Sequence, residues 1–81
     1  MNNKIVGKRI RSIRAELGLN QTDFAKLLKC NQSNVSKIEQ GILLPTLPMY
    51  ATLYKKAKLI MQKDGNTSVL RLVRDIIGLK N

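Results

Sequence analysis

The chain has 81 residues, 43% of them hydrophobic, enough for one small domain with a modest core. Lys and Arg number 15 against 5 Asp and Glu, a net charge of +10, and so dense a positive field is expected to meet a polyanion: nucleic acid first, an anionic membrane surface second. A single Cys and the absence of His exclude an internal disulfide, leave a zinc site without ligands and remove the usual general base, and no apolar run reaches membrane-spanning length.

The first segment, MNNKIVGKRIRSIR, has no apolar stretch of the kind a secretory signal needs. In KIVGKRIRSIRAELGL, Val6, Ile10, Ile13 and Leu17 recur at helical spacing and define one buried face. Lys8, Arg9, Arg11, Arg14 and Glu16 fall off that line, and Gly18 is placed to end the helix. The apolar face is narrow and lacks aromatics, which fits burial against a protein core better than a membrane surface. NQTDFAKLL follows, with Asn20 as N-cap, Asp23 in the first turn and Phe24, Leu27 and Leu28 inward. So short a helix must pack on its neighbours. After the turn KCN, whose Cys30 reads as core, Asn31 caps a second short helix from Gln32 to about Gln40. Val35 and Ile38 point inward, and Gly41 closes it. The start of that helix carries Asn31, Gln32, Ser33, Asn34 and Ser36, a run of hydrogen-bonding side chains with no role in a core.

LLPTLPMYATLYKKAKLIMQKDG predicts a helix behind Pro45, with Thr46 as cap and Pro48 in the first turn. Leu47, Tyr50, Ala51, Leu53 and Tyr54 are its candidates for closing the core. Lys55, Lys56, Lys58 and Lys63 form a basic cluster that suits either phosphate contact or a solvated face. Asp64 and Gly65 end the element. NTSVLRLVRDIIGLKN predicts a last helix over about 67–78, capped by Asn66 or Thr67. Its stripe of Val69, Leu70, Val73, Ile76 and Ile77, widened by Leu72 and Leu79, is broader than so small a core requires. The surplus suggests a partner surface.

Two short helices joined by a tight turn, behind a longer basic helix, form a helix-turn-helix. Residues Leu17 to Gly41, LGLNQTDFAKLLKCNQSNVSKIEQG, closely resemble the helix-turn-helix of the Cro and phage-repressor (XRE-type) family. With the first helix and LPTL, the resemblance covers about two thirds of the chain. It implies one lambda-repressor-like DNA-binding domain over residues 1–81, all-α, a compact bundle of about five helices with the helix-turn-helix at about 21–40. One position departs: the family usually has Gly where this chain has Lys29. Either the fold tolerates a left-handed Lys there, or the turn differs.

The second helix of such a pair enters the major groove of DNA, N-terminal residues nearest the bases. Gln and Asn offer a donor and an acceptor together to adenine, Ser bonds several bases, and Lys donates to guanine. Carried over by position, the resemblance makes Gln32 the principal base reader. Ser33, Ser36 and Lys37 line the same groove, and Asn31 and Asn34 stand at its edge. It places Gln21 and Gln40 against phosphate, and it often has the residue at Gln21 brace the reading glutamine; Asn20 and Lys29 beside the turns, and Arg14 or Arg9 on the first helix, are further phosphate candidates by charge and position. Glu39 falls at a position that is usually structural. Relatives of this size commonly pair through the last helix, which would put Val69, Leu70, Val73, Ile76 and Ile77 in a two-fold interface. The expected function is a sequence-specific transcriptional regulator, a repressor of phage, plasmid or mobile-element type, acting as a homodimer on a palindromic operator. No catalysis, metal, cofactor or small-molecule effector is expected. The setting would be the cytoplasm of a bacterium, beside the nucleoid. An antitoxin or restriction-modification controller, and a protein-binding inhibitor reusing the scaffold, are the alternatives.

Overall fold

A computed structural model describes residues 3–79, without the side chain of Leu79; the outer ends of the first and last segments lie outside that description. The described residues form five helices: α1 Asn3–Glu16, α2 Gln21–Leu28, α3 Gln32–Glu39, α4 Leu47–Asp64 and α5 Ser68–Leu79. The all-α bundle with a helix-turn-helix is therefore the architecture. Helix α1 packs on α3 and α5, α2 on α3 and α4, and α5 on α4, so each short helix gains from its neighbours what it lacks alone.

The helix ends follow local chemistry. Asn20 Oδ1 accepts from the Asp23 amide at 2.8 Å, and Asn31 Oδ1 does the same for Asn34 at 2.8 Å. Thr46 caps α4 reciprocally with Met49, and Pro48 sits in its first turn. Asn66 Oδ1 accepts from the Ser68 amide at the start of α5. At the end of α2, the Cys30 amide reaches back to Ala25 O and the Lys29 amide to Lys26 O. That pair of bonds requires a left-handed residue at Lys29, and Lys29 adopts it with φ 60° and ψ 43°. Of the two possibilities for this turn, the fold keeps the family geometry and accepts the side chain.

The core is the expected face of each helix with two changes. Val6, Ile10, Ile13, Phe24, Leu28, Val35, Ile38, Tyr50 and Leu53 are buried as predicted, while Leu17, Leu27 and Cys30 pack half-buried at the rim. On α4, Leu47, Ala51 and Tyr54 face solvent instead of the core, and Met49 and Ala57 take their place. Tyr50, Leu53 and Ala57 fall three and four apart on one face of α4, and it is this face that packs inward. On α5, Val69, Leu70, Val73 and Ile76 are buried within the monomer, leaving only Ile77 of the expected interface exposed. The correction has a simple cause. Helix α5 lies against both α1 and α4, so two walls cover its broad stripe. Gly7 explains how closely α1 approaches α3: a Cβ there would stand 2.5 Å from Ile38 O and 2.7 Å from Glu39 O.

Candidate nucleic-acid interface

Helix α3 divides cleanly. Val35 and Ile38 are fully buried, whereas Gln32, Ser33, Lys37 and Gln40 are exposed and Asn34 and Ser36 half-exposed. Positions 32, 33, 36, 37 and 40 share one outward face by helical spacing. The hydrogen-bonding run at the start of α3 therefore stands as a surface, supported from below by two apolar anchors. Gln40 Nε2 donates to Ser36 Oγ at 2.8 Å, so Ser36 keeps its own proton for another acceptor.

Gln32 is held from the side. Its Nε2 donates to Gln21 Oε1 at 2.6 Å, and Gln21 Nε2 donates to Glu39 Oε1 at 3.2 Å. Glu39 in turn receives Arg14 Nε at 2.6 Å and a second Arg14 nitrogen at 3.1 Å. A further Arg14 nitrogen donates to Leu19 O at 3.1 Å. The chain sets amide direction by elimination. A carboxylate only accepts, so Gln21 must turn its NH2 to Glu39 and its oxygen to Gln32. Gln32 must then give one N–H to Gln21. Its oxygen and second N–H are left as an adjacent acceptor and donor, the pattern that fits adenine N6 and N7. The hydrogen bonds to Glu39 raise the pKa of the Arg14 guanidinium, burial opposes them, and the charge of Glu39 adds to the rise.

This arrangement changes the expectation for two cations. Arg14 was a candidate for phosphate, but its guanidinium is bound to Glu39 and Leu19, with side-chain exposures of 18% for Arg14 and 6% for Glu39. A phosphate would have to compete with a nearly buried carboxylate. Arg9 lies on another flank of α1, turned to α5, where it meets Asp75 at 3.6 Å. Residues five apart on a helix point about 140° from each other, so α1 cannot present both to one surface. Asn20 and Asn31 have their side-chain oxygens engaged as caps, leaving only their amide N–H groups for a contact. Lys29 and Lys37 are exposed at the two ends of the α3 region. The Cys30 thiol has its pKa raised by burial, as befits a packing residue.

The structural position expected for Glu39 agrees with its bond to Arg14, but that partner is not evident from the sequence. One signal was available. Glu39 is the only acid between Asp23 and Asp64, and it lies in a helix otherwise suited to an anion. An acid there requires a cation of its own.

Among the described residues no helix is long and apolar enough to cross a membrane, and no cluster of three or more His, Cys, Asp or Glu is placed to hold a metal ion. Residues 5–55 match the model of a family described as a helix-turn-helix domain, a span that takes in α1 to α3 and the first half of α4. Comparison with curated proteins and with solved structures gives no match.

Proposed function

The chain belongs to this helix-turn-helix domain family, of the Cro and phage-repressor (XRE) type, and we propose that it reads a specific duplex DNA sequence as a homodimeric transcriptional repressor. Helix α3 enters the major groove. Gln32 reads adenine, Ser33, Ser36 and Lys37 contact neighbouring bases, and Asn31 and Asn34 reach the groove edge. Lys29, Gln40 and the start of α2, Asn20 and Gln21, grip phosphate, where backbone amides at a helix N-terminus favour anions. Two copies on a two-fold axis address half-sites one helical turn apart on a palindromic operator.

The observation that supports this reading best is the fixed Gln32 amide, steadied through Gln21 and Glu39 by Arg14. A side chain pre-oriented at the groove loses less entropy on binding than a free one. The test is selection of bound sequences from a random duplex pool at near-physiological salt. A palindrome with half-sites about ten base pairs apart should be enriched. Gln32→Ala should then lose roughly 1–3 kcal/mol of discrimination at one position of each half-site. No enrichment, with binding that disappears steeply as salt rises, would reduce the chain to a phosphate binder.

A further inference from the structure

The positive charge is not concentrated on the reading pair of helices. From Asn20 to Gln40, Lys26, Lys29 and Lys37 stand against Asp23 and Glu39, a net +1 of the chain's +10. Helix α4 carries four lysines, Lys55, Lys56, Lys58 and Lys63, against one acid, Asp64. All four lysines are exposed, and among the described residues none is paired with an acid. Lys55, Leu59 and Lys63 recur four apart on the outward side of α4, opposite the buried Tyr50, Leu53 and Ala57, and Lys56 and Lys58 flank that row. Residues 56 onward lie beyond the stretch that matches the helix-turn-helix family.

This surface is turned away from the reading helix. The helices pack in a ring: α3 on α1 and α2, α2 on α4, α4 on α5, and α5 on α1. Helix α2 separates α3 from α4 on one side, and α1 and α5 separate them on the other, so their outward faces look to different sides of the domain. The lysines also occupy the half of α4 beyond Tyr54, about 12–24 Å along the helix from Leu47, where the chain arrives from α3. A straight duplex lying against α3 leaves them uncovered.

We propose that Lys55, Lys56, Lys58 and Lys63 form a second, sequence-independent phosphate surface that holds another duplex segment, so that one copy of the chain joins two stretches of DNA. The proposal rests on the DNA-binding reading of α3 and adds a site to it. Charge and shape select the occupant. Four unpaired cations within about 12 Å of helix repel one another until a polyanion offsets them. Their density, roughly one per 4 Å, is close to the one phosphate per about 3.4 Å of axis on each DNA strand. Ammonium groups on flexible stems suit phosphates whose exact positions vary with sequence and bending. A protein interface would need an apolar or aromatic anchor and few lysines at its centre, and Leu59, 62% exposed, is a single apolar side chain within the row. A membrane surface would need a broad apolar face beside the basic one, and α4 buries its apolar face in the core.

The experiment compares the full chain with a Lys55→Gln, Lys56→Gln, Lys58→Gln, Lys63→Gln variant. The four side chains are exposed and Gln is a good helix former, so the fold is preserved; circular dichroism and melting check it. A control, Lys8→Gln, Arg11→Gln, Arg71→Gln, Arg74→Gln, removes the same charge from exposed positions elsewhere. A duplex tethered to beads and saturated with the parent chain should capture a second, labelled duplex of unrelated sequence. The α4 variant should capture on the order of 10-fold less, and the control should capture more than the α4 variant. Lysine acetylation read by mass spectrometry locates the contacts: the first duplex should protect Lys29 and Lys37, and the second should add protection at the four α4 lysines. No capture by the parent, equal capture by the α4 variant, or an equal loss in the control would each overturn the proposal. So would capture that leaves the α4 lysines reactive, as in a dimer whose two reading helices take one duplex each. Protection of these lysines by phosphatidylserine vesicles but not by DNA would overturn it in favour of a membrane. Protection of the α4 lysines by DNA while Lys29 and Lys37 stay reactive would support the second surface and remove α3 as the reading helix.

Discussion

Lys29 stands in the left-handed turn between α2 and α3, where a side chain meets the backbone unfavourably and Gly does not. Lys29→Gly should stabilise the fold by about 1 kcal/mol, read as a rise of roughly 4–8 °C in melting temperature. If Lys29 also grips a phosphate, the same variant binds DNA more weakly at every sequence, and its salt dependence becomes shallower by about one counterion. A stabilised variant with unchanged DNA affinity would leave Lys29 without a binding role. The Arg14–Glu39 pair is the second residue-scale test. With both side chains mostly buried, Glu39→Met alone leaves a cation without its partner and should cost about 3 kcal/mol, whereas adding Arg14→Met should restore part of it. Chemical denaturation of the two singles and the double measures the coupling. Purely additive costs would mean that the two side chains act independently. Little of this brace is visible in sequence, because Arg14 and Glu39 are 25 residues apart and nothing local links them. The Gln21–Gln32 contact was legible only through the family resemblance.

At the scale of elements, the ends of the helices were readable and their partners less so. Asn20, Asn31 and Thr46 each cap the amide three residues on, so the sequence holds all the parts. Burial depends on which elements cover a face. The stripe on α5 looked too wide for one contact, and it is covered because α1 and α4 both lie on it. The phase of α4 stays open in the sequence for a related reason: Leu47 and Tyr54 are as apolar as Tyr50 and Leu53, and only the packed neighbours show that the latter two take the buried face. Gly7 carries the corresponding prediction. Ala is the better helix former by about 1 kcal/mol, yet at position 7 its methyl would collide with the carbonyls that end α3. Gly7→Ala should therefore destabilise, by about 1–3 kcal/mol, while shifting α1 away from α3. Gly78→Ala is the control, since a Cβ there meets nothing within 4 Å and the exchange should leave stability unchanged or slightly higher. Equal effects at the two sites would mean that α1 does not pack as closely as described.

For the whole molecule the decisive quantity is charge, and it was legible from composition alone. The described domain measures 33 × 29 × 19 Å, with a radius of gyration of 11.7 Å. At 0.01 M ionic strength the Debye length is about 30 Å, so nearly every cation on the domain feels every other. At 0.15 M it falls to about 8 Å, and only neighbours interact. The net charge of +10 is uncompensated repulsion in the folded chain, and unfolding relieves it by separating the charges. Among the described residues Glu39 is paired with Arg14 and Asp75 with Arg9, and the first of these is the better shielded against screening. Added salt should thus remove more repulsion than attraction. The free chain is expected to melt at a higher temperature in 0.15 M than in 0.01 M sodium chloride. Its affinity for duplex DNA should move in the opposite direction, because each neutralised phosphate releases bound counterions and salt opposes that release. Melting curves of the free chain and titrations with DNA across the same salt series measure the two trends together. Melting that falls with salt would show that surface ion pairs outweigh the net charge. Affinity that holds as salt rises would mean that apolar and base contacts, rather than the cationic surface, carry most of the grip on DNA.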